Sequence, residues 1–146
     1  MARPPTLADR AQANGVKMTH QRRLICDALE ASDDHPDVDA LHVRARKNDP
    51  KLSLSSVYRT LRALETMDMI SRHDFGDGRA RFEIKDDRHH DHLIDTTTGR
   101  VIEFLDPKLE ALKNEIAARL GYELQSHRLE LYGQPRKRSS GANTAG

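Results

Sequence analysis

The apolar residues Leu54, Val57, Leu61 and Leu64 recur at spacings of three, four and three, the rhythm of one buried helical stripe that begins near Ser53. At about 100° of rotation per residue, Ser55, Arg59 and Arg62 fall near the opposite side, with Ser56 and Tyr58 flanking them. That outer row combines hydroxyls, guanidinium groups and one aromatic ring, a set suited to phosphates and base edges. A helix whose outer face merely meets solvent would show the same pattern. Upstream, Leu7 to Ala13 predicts a short helix ending near Gly15. Thr19 is placed to cap a helix through about Ala31, with Leu24, Ile25, Ala28 and Leu29 inward, and Asp37 to cap a third carrying Val38, Leu41 and Ala45. Asn48-Asp49-Pro50 stops that third helix. After Ile70, alternating strands through Asp74 and from Arg79 to Ile84 are joined around Gly76-Asp77-Gly78. Helices followed by a basic hairpin make the pattern of a winged helix-turn-helix.

The pattern then changes. His92 to Ile94 and Arg100 to Phe104 predict two strands around Thr98-Gly99, and Asp106-Pro107 supplies an N-cap and a first-turn proline. Leu109, Leu112, Ile116 and Leu120 form the stripe of the helix that follows, Gly121 ends it, and Tyr122 to Tyr132 predicts a final strand. A strand–strand–helix–strand unit of this size is expected to pair its sheet or helix with another subunit. The chain is therefore read as α+β: a winged-helix domain over 1–85, a small α/β dimerisation domain over 86–135 and a flexible basic and polar tail over 136–146.

Composition narrows the chemistry. Among 146 residues only 36% are hydrophobic and none is Trp, so two domains of this size have thin cores that a dimer or a bound metal would help to stabilise. Residues 1–85 carry 15 Lys/Arg against 13 Asp/Glu, whereas residues 86–135 carry 6 against 10. A mildly basic first part and an acidic, His-bearing second part suit an anion at one end and a cation at the other. Cys26 is the sole cysteine, which excludes an intrachain disulfide framework and a four-thiolate zinc site within one chain. With no apolar run long enough to span a membrane and no leader-like N-terminus, a soluble, cytoplasmic protein is expected.

The run Arg88-His89-His90-Asp91-His92 concentrates candidate ligands. On a strand His90 and His92 share one face and His89 and Asp91 the other, so one strand could feed two metal sites. Imidazole and carboxylate suit Fe(II), Mn(II) or Zn(II). His35, Glu83, Glu103, Glu110 and His127 are the plausible distant suppliers, with weaker claims for His42 and His73. His20 suits a helix start, and Cys26 beside Ile25 and Leu29 suits a core position. No Gly-rich phosphate loop and no Ser/His/Asp or Cys/His set stands out. A metal that changes shape is favoured over one that turns over substrate; a metal-dependent hydrolase is the distant alternative.

Val57-Tyr58-Arg59-Thr60-Leu61, His89-His90-Asp91-His92 and Gly99-Arg100-Val101-Ile102-Glu103-Phe104 together closely resemble the ferric uptake regulator family, over about Leu7 to Gly133 and in the family order. The resemblance implies a dimeric, metal-responsive transcription regulator and not an enzyme. It implies an inter-domain regulatory site of His35, Glu83, His90, His92 and Glu103, and a second site of His89, Asp91, Glu110 and His127. Tyr58 and Arg59 match base-approaching positions, and Lys17 matches a basic position suited to the minor groove or a phosphate; Ser55 and Arg62 join them from the helical-face reading. The family's common Cys-x-x-Cys is replaced here by Asp95-Thr96-Thr97-Thr98, which places the chain in a zinc-thiolate-free branch. Glu103 in place of aspartate argues against a peroxide-sensing mode. The expected function is an Fe(II)-dependent repressor of metal-uptake genes that binds an A/T-rich inverted repeat in double-stranded DNA as a homodimer, without a membrane partner. The alternatives are a Mn(II)-responsive regulator, or a metal-binding structural or buffering protein without a specific operator. Zn(II) is expected to bind in vitro.

Overall fold

A computed structural model describes residues 3–85 and 90–137, in two compact units that divide at His90. In the first unit four helices precede a two-stranded antiparallel wing: α1 Leu7–Ala13, α2 His20–Glu30, α3 Val38–Arg46, α4 Leu54–Thr66, β1 Ile70–Asp74 and β2 Ala80–Ile84. Every helix start is locally encoded. The side chains of Thr6, Thr19, Asp37 and Ser53 each accept the backbone N–H three residues on, satisfying donors that have no partner inside the helix. At Thr6 the bond is reciprocal, because Asp9 accepts the Thr6 N–H in return.

Leu7, Ile25, Leu41, Val57 and Leu64 are wholly buried and, with Leu61, bring all four helices into one core, closed by Ile70 and Phe82 of the wing. The inner face of α4 differs in detail from the sequence reading. Leu54 in the first turn is 37% exposed, while Thr60 is buried. Its hydroxyl donates to the Ser56 carbonyl at 2.7 Å, so the polar group enters the core already satisfied. In α2 the buried positions are Ile25, Cys26 and Leu29, with Leu24 and Ala28 at the margin. The wing's second strand starts at Ala80 because the Arg79 N–H turns back to the Asp77 carboxylate. The Phe82 N–H donates to the Pro36 carbonyl at 3.0 Å and so pins the α2–α3 loop to β2.

The second unit is a three-stranded sheet in the order β4-β3-β5, where β3 is Asp91–Asp95, β4 Val101–Phe104 and β5 Glu130–Gly133, with α5 Pro107–Arg119 connecting β4 to β5. β3 pairs antiparallel with β4 and parallel with β5. One expectation is corrected. The last strand has four residues rather than the span Tyr122 to Tyr132: β5 pairs along β3 from Glu130 opposite His92 to Gly133 opposite Asp95. The apolar stripe of α5 is left largely exposed within one chain, in keeping with a face that pairs with another subunit: the helix has no buried residue, and Leu112, Ile116 and Leu120 are 49%, 43% and 70% exposed. Among the described residues, no helix is long and apolar enough to cross a membrane. The predicted tail lies, from residue 138 onward, outside the described residues, as does His89.

Candidate metal centres and nucleic-acid face

In the first unit the candidate ligands gather where the α2–α3 loop meets the wing. His35 adopts a left-handed backbone, with φ of 52°, and is buried. The loop that holds it is braced from α3: the Arg44 guanidinium forks onto the two Asp34 carboxylate oxygens at 2.8 and 2.6 Å and donates to Ser32 Oγ at 2.7 Å. Those bonds hold the Asp34 carboxyl below its ordinary range and raise the pKa of Arg44. His35 Nε2 meets Glu83 Oε2 on β2, and His73 Nε2 of β1 lies 2.6 Å from Glu83 Oε1. The two imidazole rings therefore share one carboxylate, with 6.1 Å between their centroids, and His73 stacks on Phe75 at 5.4 Å. His73, given a weak claim by sequence, is thus part of this group. The register places it opposite Arg81, diagonal to Glu83 on the same face of the wing. His42 is occupied elsewhere, its Nε2 lying 2.9 Å from the Leu52 carbonyl.

In the second unit, β3 presents ligands on both faces. His92 pairs with Glu103 in the β3–β4 register, and the His90 ring lies edge-on to His92 at 4.9 Å. His90 Nε2 is 3.6 Å from Glu103 Oε1, an ion-pair distance too long for a hydrogen bond. Asp91, Glu110 and His127 form a second group whose ligand atoms all lie within 4.8 Å of one another. Asp91 is buried, and its Oδ1 accepts from His127 Nε2 at 2.8 Å. Lys113, which no sequence pattern singled out, reaches Glu110 Oε1 at 2.9 Å and His127 Nδ1 at 2.5 Å. Both groups consist of imidazole and carboxylate without thiolate. That donor chemistry fits Mn(II), Fe(II) or Zn(II). Cys26 is no ligand candidate: it is fully buried in the helical core, and burial pushes its thiol up to about 11.

Ser55, Tyr58, Arg59 and Arg62 line the exposed side of α4. A cleft of about 570 Å³ separates Tyr58, Arg59 and Arg62 from Arg72 and Arg79 of the wing, with Asp37, Asp39 and Glu65 also on its walls. Arg79 is steered by Asp37, whose carboxylate receives its guanidinium at 3.1 Å while also capping α3. Lys17 is exposed between α1 and α2, and its carbonyl accepts from the Arg22 guanidinium at 2.9 Å.

The fold is shared with known proteins. The sequence profile of the ferric uptake regulator family matches residues 13–132. A ferric uptake regulation protein of Rhizobium leguminosarum bv. viciae is 52% identical over 133 residues, which cover 91% of this chain and 94% of that protein. The Escherichia coli K12 ferric uptake regulation protein is 38% identical over 82% of this chain and 81% of its own length. Among solved structures, a zinc-bound manganese uptake regulator superposes with a TM-score of 0.85 at 53% identity, covering 90% of this chain and 99% of that one. The Vibrio cholerae ferric uptake regulator gives a TM-score of 0.76 at 32% identity, covering 86% and 97%. The chain belongs to the ferric uptake regulator family of metal-responsive, non-catalytic transcription regulators.

Proposed function

We propose that this chain is a manganese-responsive dimeric repressor, with His35, Glu83, His90, His92 and Glu103 holding the regulatory metal. Iron is the first expectation from sequence, and the comparisons support the manganese alternative better. The observation that carries the reading is the 53% identity, over nine-tenths of the chain, to a structure described as a manganese uptake regulator. The solved ferric uptake regulators of Vibrio cholerae and Helicobacter pylori are 32% and 31% identical. Iron keeps in its favour the names of the curated relatives, ferric uptake regulation proteins at 52% identity in Rhizobium leguminosarum and 38% in Escherichia coli.

When bound, the divalent ion supplies a charge that donors from both units can share, lowering the free energy of the DNA-competent state. About 2–3 kcal/mol of preference is enough to shift the population strongly. His73 holds Glu83 Oε1 and so directs the other oxygen of that carboxylate toward His35. Asp91, Glu110 and His127, with His89 from the family pattern, form the second metal site. Arg59 and Tyr58 read bases, Arg62, Ser55 and Lys17 position the backbone, and two-fold symmetry selects an inverted repeat, A/T-rich as the family resemblance implies.

The decisive experiment is an anaerobic DNA-binding titration on such a repeat at fixed salt, with Mn(II), Fe(II) and Zn(II) in parallel and metal content measured. Mn(II) should activate binding at the lowest free concentration of the two physiological candidates, and His90→Ala or Glu103→Ala should abolish the metal dependence. Equal binding by metal-free and metal-loaded protein would sink the reading, and activation by Fe(II) well below Mn(II) would return iron to first place.

A further inference from the structure

The Asp91, Glu110 and His127 group contains a cation of the chain's own. Lys113 and Glu110 stand three residues apart on α5, and their 2.9 Å contact alone would be an ordinary helix-surface pair. The ammonium goes further. It lies 2.5 Å from His127 Nδ1 and 2.6 Å from Nε2, and the Lys113 side chain is only 17% exposed. His127 Nε2 is in turn 2.8 Å from Asp91 Oδ1, with the Asp91 side chain 1% exposed. A carboxylate oxygen only accepts, so Nε2 donates to Asp91, and the ammonium rests against the imidazole ring at nearly equal distance from both nitrogens. The polar chain Asp91–His127–Lys113–Glu110 ties α5 to β3, and in it two carboxylates share one fixed positive charge.

We propose that Lys113 is a built-in counter-ion that occupies this donor set and must swing out when a divalent metal enters, so that an α5 side chain sets the threshold for metal at the second site. The proposal rests on the reading of Asp91, Glu110 and His127 as metal ligands. A metal bonds such donors at about 2.0–2.2 Å. The ammonium already stands within 2.9 Å of both Glu110 Oε1 and His127 Nδ1, so a dication bound to the same atoms would meet a like charge at contact distance. The four-carbon stem of a lysine gives the charge a way out to solvent. Metal therefore takes the donors and replaces the Lys113 link between α5 and β3 with one of its own through Glu110, Asp91 and His127. Without metal the two carboxylates are compensated, and the set persists as part of the fold.

The test is a Zn(II) titration of the full chain in a Glu83→Gln background, which disables the other donor set, read by competition with a chromophoric chelator. Lys113→Gln and Lys113→Met should each bind Zn(II) about tenfold or more tightly than the protein that keeps Lys113, and Lys113→Arg, which keeps the charge, should stay within about threefold of it. In the metal-free state the two neutral variants, Lys113→Gln and Lys113→Met, should melt at a lower temperature, since they remove the ammonium's contacts to Glu110 and His127. Equal Zn(II) affinity across all four proteins would overturn the gating role while leaving the metal site intact. Absence of stoichiometric Zn(II) in every variant would overturn the metal site itself, and the proposal with it.

Discussion

His35 illustrates how much one ligand position demands of its neighbours. A non-glycine residue with φ of 52° carries about 1–2 kcal/mol of backbone strain. The Arg44 fork onto Asp34 and Ser32, with the Pro36 carbonyl fixed by Phe82, braces the loop on both sides of it. Asp34 is about a third exposed, so its pairing is worth about 1 kcal/mol or less after solvent screening. Its effect on pH dependence has a definite sign. Because the folded pKa is depressed, the contribution is fully present above the unfolded carboxylate value of about 3.9 and is lost as pH falls below it toward the folded value. Asp34→Asn should therefore lower the melting temperature at pH 6, and its gap to the parent should narrow as pH falls below about 3.9. A constant offset across that range would show that the fork contributes through shape alone.

At the scale of elements, the features visible in the sequence are those with local causes. Ser53, Asp37, Thr19 and Thr6 announce helix starts through bonds spanning three residues, and Val57, Leu61 and Leu64 announce the buried side of α4 through one period. What sequence does not announce is decided across the fold. Thr60 takes an inner position because its hydroxyl can bond backward along the helix, and the last strand is bounded by its register on β3, from Glu130 opposite His92 to Gly133 opposite Asp95. His73 and Lys113 join their groups through partners 10 and 14 residues away, whose meeting depends on strand register and on where α5 lies. The complementary outer row of α4 is legible for the same local reason as the inner one, and it carries a sharp expectation. Arg59→Ala should cost about 1–3 kcal/mol of discrimination between operator and scrambled sequence, measured by competition binding, while metal stoichiometry stays unchanged. Undiminished operator preference would remove Arg59 from the base-reading set.

At the scale of the molecule, one chain leaves unburied the stripe of α5 and, in the sheet, Ile102 and Leu131, which both stand opposite Leu93. Apolar exposure on this scale marks an interaction surface, and a second copy is the occupant expected for a family of dimeric regulators. Ile116→Glu should shift the protein to monomer in sedimentation analysis and lower the thermal stability of the second unit, with the winged-helix unit unaffected. A persistent dimer would place the interface elsewhere.

The turn from Asp95 to Gly99 occupies the place where the family commonly has paired cysteines. Asp95 Oδ1 accepts from the Thr97 N–H at 2.8 Å and the Thr97 hydroxyl at 2.6 Å, the Gly99 N–H donates to the Asp95 carbonyl at 2.7 Å, and the Thr96 N–H lashes the turn to Gly133 at 2.8 Å. Hydrogen bonds written entirely in side chains and backbone thus do what thiolates and an ion do elsewhere. The shape of this turn therefore requires no thiolate-bound zinc, which leaves the second unit's imidazoles and carboxylates as its sole candidate metal donors among the described residues.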